Sequence, residues 1–260
     1  MSSVNLRKIS ALPISFHKNG VVFGKLMVKP ELEIKSYNKY RRFFKNQKLD
    51  KDEKMYYIYR NSCLKKDLPV FKKYGLRYDI TAILPGNIGD EPMRTIGHIH
   101  KNLKKIGQPN EIYQVLYGTA LFLLHNIKND TIYPIQRNAG QKIVIPGNCA
   151  HITINNSPDK PLIIANIFTN KKNVSDYKFF EKTNGPAWYP TRDKNKIIFI
   201  KNPKASRSSK ISSLHKKCSL PKGISQTIPL YKEFINNPNG FAFLSQPNRF
   251  KKSITFKNLF

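Results

Sequence analysis

The middle of the chain is written in short apolar runs separated by polar interruptions. They recur at close spacing over 76–84, 94–100, 111–116, 119–125, 142–145, 151–155 and 162–168. In 76–84 (LRYDITAIL) polar and apolar positions alternate, the period of a strand with one face toward a core. β-Branched and aromatic residues fill the runs. Gly, Pro and Asn fill the gaps, with Pro85-Gly86 and the IPGN sequence at 145–148 as the clearest turns. Many short strands with regular turn signals predict an all-β sandwich or barrel.

The flanks read differently. Residues 21–28 (VVFGKLMV) predict a strand, 32–48 a basic helix or surface segment, and 56–60 (YYIYR) another strand. After residue 170 a short helix or loop is expected at 176–181, and edge strands at 185–189 and 197–200. A Lys/Ser-rich stretch follows, too poor in apolar residues to pack. The last residues recover aromatic anchors. The organisation predicted is an N-terminal extension contributing strands (1–54), a barrel (55–195), a flexible linker (196–225) and a basic, partly irregular C-terminal tail docked on the barrel (226–260).

Composition changes this picture little. The chain has 260 residues and is 40% hydrophobic, enough for a real core. Lys and Arg number 46 against 16 Asp and Glu, a formal net charge of +30. Such a balance points first to a polyanion. Here the lysines are spread along the chain and accompany abundant Asn and Ile, the signature of an AT-rich coding sequence, so a nucleic-acid role is not expected. A basic surface still draws in a phosphorylated substrate. Cys63, Cys149 and Cys218 are odd in number, widely spaced and without a CxxC pair, which predicts reduced thiols and a cytoplasmic setting. No apolar run reaches the ~18 residues of a membrane span. The first thirty residues are basic like a transit peptide, but GVVFGKLMV reads as a strand of a globular domain and places them in the fold.

The chemistry concentrates at TIGHIH, residues 95–100. His98 and His100 share one face if the backbone is extended, and Gly97 before them permits close backbone approach. Glu111 opens the next predicted strand, and His151 opens a third after the IPGN turn. Barrel strands can bring such positions to one interior point. A barrel interior keeps three His and one Glu only if they ligate something or satisfy one another. The set suits one divalent transition metal, Fe, Mn, Ni or Zn, with open positions for a substrate oxygen. Cys149 is read as a turn residue rather than a ligand, His125 as a strand end, and Arg94 as a structural charge.

These residues resemble a known family. TxGHxH, then ExY, then Gly after a short strand, then PxxxAHxTxN, with YYIYRN and RYDIT upstream, is similar to the cupin-type glucose-6-phosphate isomerases of archaea and some bacteria. The resemblance covers roughly residues 55–190. It implies a cupin jelly-roll barrel, a metal held by His98, His100, Glu111 and His151, and a sugar-phosphate substrate. It further implies phosphate contacts from Thr81, Thr95 and Gly97, Tyr113 facing the pocket and Tyr177 near the substrate. A homodimer is expected by analogy. The chain departs from the family in a longer loop between His100 and Glu111, in Phe168 where members carry a tyrosine, and in Ser175 where they carry a histidine.

The reaction so implied is an aldose–ketose isomerisation. Glu111, the only carboxylate of the constellation, is expected as base, ligand or both, with Tyr113 moving a hydroxyl proton. Proton transfer through a cis-enediol and a hydride shift both fit. The rival readings are another cupin metalloenzyme, such as an iron-dependent oxygenase, and a non-catalytic sugar-phosphate-binding cupin.

Overall fold

A computed structural model of the chain describes residues 3–18, 20–50, 52–194 and 196–260. Ten strands form two main sheets: β1 (Glu31–Ser36), β2 (Lys54–Arg60), β3 (Leu76–Ile83), β4 (Glu111–Tyr117), β5 (Thr119–Asn126), β6 (Thr131–Asn138), β7 (Lys142–Ile145), β8 (Cys149–Asn155), β9 (Leu162–Thr169) and β10 (Lys210–Ile211). The large sheet has the order β7-β4-β9-β3-β2-β1, and the small sheet β8-β5-β6-β10. Neighbours are antiparallel except β6 and β10. The chain changes sheet between β4 and β5, and at each connection from β6 to β9. This is jelly-roll connectivity. Gly118 makes the first crossing at φ +84°, where a Cβ would lie 2.9 Å from the Pro161 carbonyl oxygen. No helix among the described residues is long and apolar enough to cross a membrane.

Two apolar clusters hold the sheets. One lies between them and includes Tyr113, Val115, Phe122, Ile143 and Ile164, with the Tyr113 and Phe122 rings 5.6 Å apart. The other covers the outer face of the large sheet. There α1 (Leu68–Tyr74), α2 (Leu230–Asn236) and the residues after α2 pack on Tyr78, Ile80, Ile112 and Ile163. Phe71 stacks on Phe234 at 4.6 Å, and Tyr78 meets Tyr231 edge-on at 5.2 Å. The large sheet is therefore covered on both faces, which is why β9 is buried at all eight positions and shows no alternation in burial.

The tail is also tied by polar groups. The Lys142 ammonium, wholly enclosed, pairs with Glu233 at 2.6 Å and donates to the carbonyls of Ser225 and Ile228. The Leu230 amide donates to the Gln114 side chain on β4 at 2.9 Å.

Several elements differ from the sequence expectation. The 32–48 segment begins as the edge strand β1, followed by a helical turn at Tyr37–Tyr40. Its apolar Leu32 and Ile34 alternate with charges that face the other way, and the abundance of Lys and Arg masks that period. Strand β6 is not legible because Pro134 interrupts its run, yet Pro134 pairs with Leu123 within the ladder. Residues 94–100 make only single bridges, Arg94 to Ile154 and His98 to His151, before the short strand Ile99–His100. Gly97, at φ +83°, breaks the ladder there. The Lys/Ser-rich stretch is seated on the small sheet through β10 and through Ser208 and Ser209, whose hydroxyls donate to Asp130.

Candidate metal centre and substrate cavity

The inner face of the large sheet is a grid of alternate residues. On β4 they are Glu111 and Tyr113, on β9 Phe168, Asn166 and Ile164, on β3 Arg77, Asp79 and Thr81, and on β2 Arg60, Ile58 and Tyr56. All of them line one cavity of about 80 Å³. Opposite runs the segment before β4, laid along β8. The Thr95 amide donates to the Thr153 carbonyl at 2.9 Å, and the Thr153 amide donates back to the Thr95 hydroxyl oxygen at 2.9 Å. His98 and His151 exchange backbone hydrogen bonds of 3.2 and 3.0 Å. A Cβ on Gly97 would lie 2.3 Å from Ile152 Cγ2, so only glycine brings His98 this close to β8.

His98, His100, Glu111 and His151 converge, each offering one ligand atom within 4.8 Å of the others. His100 Nε2 and His151 Nε2 lie 3.3 and 3.6 Å from Glu111 Oε2. The second atoms are engaged outward. His100 Nδ1 is 2.7 Å from the Pro109 carbonyl oxygen, which as acceptor fixes the proton on Nδ1 and leaves Nε2 as a lone pair. Glu111 Oε1 accepts from the Asn166 amide at 2.6 Å. His100 Nε2, His151 Nε2 and Glu111 Oε2 are buried with no hydrogen-bond partner. Such orphaned atoms aimed at one point are what a cation would satisfy. The group fits a divalent metal, and Cys149 is not among its members.

The electrostatics favour ligation. Burial and the two neighbouring imidazoles hold His98 well below the usual imidazole range. Burial also lowers His100, against the opposing pull of Glu111. Burial alone would raise the Glu111 carboxyl, but His100 and His151 outweigh it and keep the carboxylate ionised. Burial, reinforced by the Glu111 charge, pushes the Tyr113 phenol well above its ordinary value, so it stays protonated.

Every site residue expected from sequence lines this cavity or joins its metal group: Thr81, Thr95, Gly97, His98, Glu111, Tyr113, His151 and Tyr177 on the wall, with His100 buried behind. His125 lies elsewhere, bonded to Asp130 at 2.8 Å, and Arg94 is enclosed by Glu91 and the Phe44 ring. Sequence reading assigned no role to Lys35, Tyr56, Arg60, Arg77, Asp79 or Asn166, which share the wall. Lys35 contacts Glu33 at 2.5 Å and the Tyr40 hydroxyl at 2.9 Å, and its ammonium lies 5.9 Å from the Tyr177 ring centre. The alternation RxDxT in 77–81 is the one signal that could have exposed Arg77 and Asp79, since it puts them on the face of Thr81.

The family model described as glucose-6-phosphate isomerase (GPI) matches residues 36–205. The glucose-6-phosphate isomerase of Thermococcus litoralis is 27% identical over 133 residues, which is 51% of this chain and 66% of that protein, just short of two thirds of its length. Among solved structures, an oxalate decarboxylase of Bacillus subtilis overlaps 47% of this chain and 28% of its own at 16% identity and a TM-score of 0.35. An oxalate oxidase structure overlaps 46% of this chain and 54% of its own at 16% identity and a TM-score of 0.36. With its family model matched over most of its length and its ligand set assembled in space, the chain belongs to the glucose-6-phosphate isomerase family.

Proposed function

We propose that the protein is a metal-dependent aldose–ketose isomerase interconverting glucose 6-phosphate and fructose 6-phosphate through a cis-enediol. The observation that carries this reading is the convergence of three orphaned ligand atoms on one point at the wall of a cavity lined at its other end by hydroxyls. The reaction moves a proton between C2 and C1 and exchanges the carbonyl between them. It needs a base over those carbons, an electrophile for the developing enediolate, and a grip on the phosphate. When bound, a divalent Fe, Mn, Ni or Zn ion supplies the Lewis acidity. Glu111, ionised and held through one oxygen by Asn166, presents its second oxygen to the cavity and takes the proton. Tyr113, neutral and two residues along the same strand face, hands a proton to the substrate oxygen. Thr81, Thr95 and the Gly97 amide receive the phosphate, and Lys35 adds a positive charge to the cavity wall.

Stripping the protein with EDTA is expected to abolish interconversion of the two hexose phosphates, and adding back members of a divalent-metal panel to restore it. A metal-replete protein that isomerises neither sugar would refute the reading.

A further inference from the structure

The metal cavity adjoins a second chamber of about 830 Å³. Arg60, Arg77, Phe168, Ser175 and Tyr177 line both and form the boundary between them, which we term the doorway of the metal cavity. Strand register says which end of the cavity the doorway serves. Ile112 pairs with Ile167, which sets Glu111 level with Phe168, and Phe168 pairs with Arg77. Glu111, Phe168 and Arg77 thus form one row across three strands. The Phe168 ring lies 4.5 Å from the His100 ring, and Ser175 pairs with His100. The doorway is at the metal end. Thr81 stands two rows further in, four residues along β3 from Arg77, or about 13 Å at ~3.3 Å per residue.

The doorway cations are held in place. Asp79, buried between them, accepts from Arg77 Nε at 2.7 Å and from Arg60 Nη1 at 3.2 Å. Arg77 Nη1 donates to the Thr169 carbonyl at 2.6 Å, and Arg60 Nη2 pairs with Glu33 at 2.7 Å. Each guanidinium carries five N–H donors, so both keep unengaged donors beside the opening. Beyond them Lys72, Lys171 and Lys172 line the chamber, opposed there by Glu31 and Glu33. Fixed, forked donors backed by exposed lysines are the chemistry of a phosphoryl or carboxylate site.

We infer that Arg60 and Arg77 form a second anion subsite, which receives an anionic group attached to C1 of a sugar phosphate whose other end lies at Thr81. The ligand class is a hexose carrying a phosphoryl group at both ends. This rests on the isomerase reading, which puts C1 and C2 at the metal and the first phosphate at Thr81. A ligand so bound has its C1 oxygen esterified and blocks the cavity, so it inhibits isomerisation competitively.

The test titrates the metal-loaded protein with fructose 1,6-bisphosphate and with fructose 6-phosphate by calorimetry, and measures turnover of the latter in the same preparation. The bisphosphate is expected to bind about tenfold tighter. Arg77→Gln should remove most of that excess. The Lys171→Ala, Lys172→Ala double variant, altered only at the chamber wall and safe for folding, should reduce it severalfold with turnover unchanged. Equal binding of the two ligands, with turnover present, overturns the subsite alone. Equal weakening of both ligands by Arg77→Gln overturns it too, by assigning Arg77 to the single phosphate. Absence of both binding and turnover overturns the isomerase reading and the subsite with it.

Discussion

Glu111 carries two tasks, ligand and base, on a single oxygen. Oε1 is committed to Asn166, while Oε2 faces both the imidazoles and the cavity. Glu111→Gln keeps the shape and one acceptor but removes the base. It should lower kcat by about 10²- to 10⁴-fold with the fold intact, and metal content measured on the same sample separates loss of base from loss of ligand. The imidazoles give a pH expectation for the metal-free protein. His98 and His100 are held below the ordinary value of ~6.5. As pH falls through that value the unfolded chain takes up protons that the folded chain refuses, so stability must fall with acid. The lowered Glu111 carboxyl adds stability that is lost only below ~4.5, outside this range. The urea midpoint should therefore drop between pH 7.5 and 5.5, and His98→Gln or His100→Gln should each flatten the drop. At this scale the ligands were legible in sequence because a two-residue spacing on an extended chain fixes a shared face. Arg60 and Lys35 were not, because one more cation among 46 Lys and Arg carries no signal, and Arg77 was marked only by the RxDxT alternation.

The loop from His100 to Glu111 is an element whose role depends on what grips it. Asn110 is buried, donates from its amide to the Phe243 carbonyl at 2.8 Å, and accepts from the Gly147 amide at 3.0 Å. It thereby holds its two chain neighbours, Glu111 and Pro109, whose carbonyl orients His100. Asn110→Ala is expected to weaken divalent-metal binding about 10- to 100-fold. Asn110→Asp, which keeps the acceptor for Gly147 and loses the donor to Phe243, should fall between, as read by calorimetry. The strands bearing Thr81, Glu111 and His151 were readable from alternation and flanking turns. Strand β1 was not, since an edge strand with exposed Leu32 and Ile34 has no buried apolar face to announce it. Nor could the grip on Asn110 be read, because it comes from a residue 133 positions away.

Across the whole molecule, the segment matched by the family model ends at residue 205, yet the chain beyond it covers the outer face of the sheet that carries Glu111. The Lys142–Glu233 pair makes this docking specific. Glu233→Ala leaves an enclosed ammonium without its carboxylate and should cost about 3–5 kcal/mol in urea denaturation, whereas the double change Lys142→Met, Glu233→Met should recover most of that loss. The aromatic anchors of the tail were visible in sequence; their landing place was not, because the receiving face is assembled from Tyr78, Ile112 and Ile163 on strands far apart in the chain. Strand β1 has a further consequence. It brings Lys35 to the cavity but is hydrogen-bonded to β2 alone, with a register shift at Lys35/Ser36. Glu111 lies on a strand clasped on both sides. The cavity is thus stiff along the wall that carries Glu111 and yielding along the edge that carries Lys35, and amide exchange should begin at that edge.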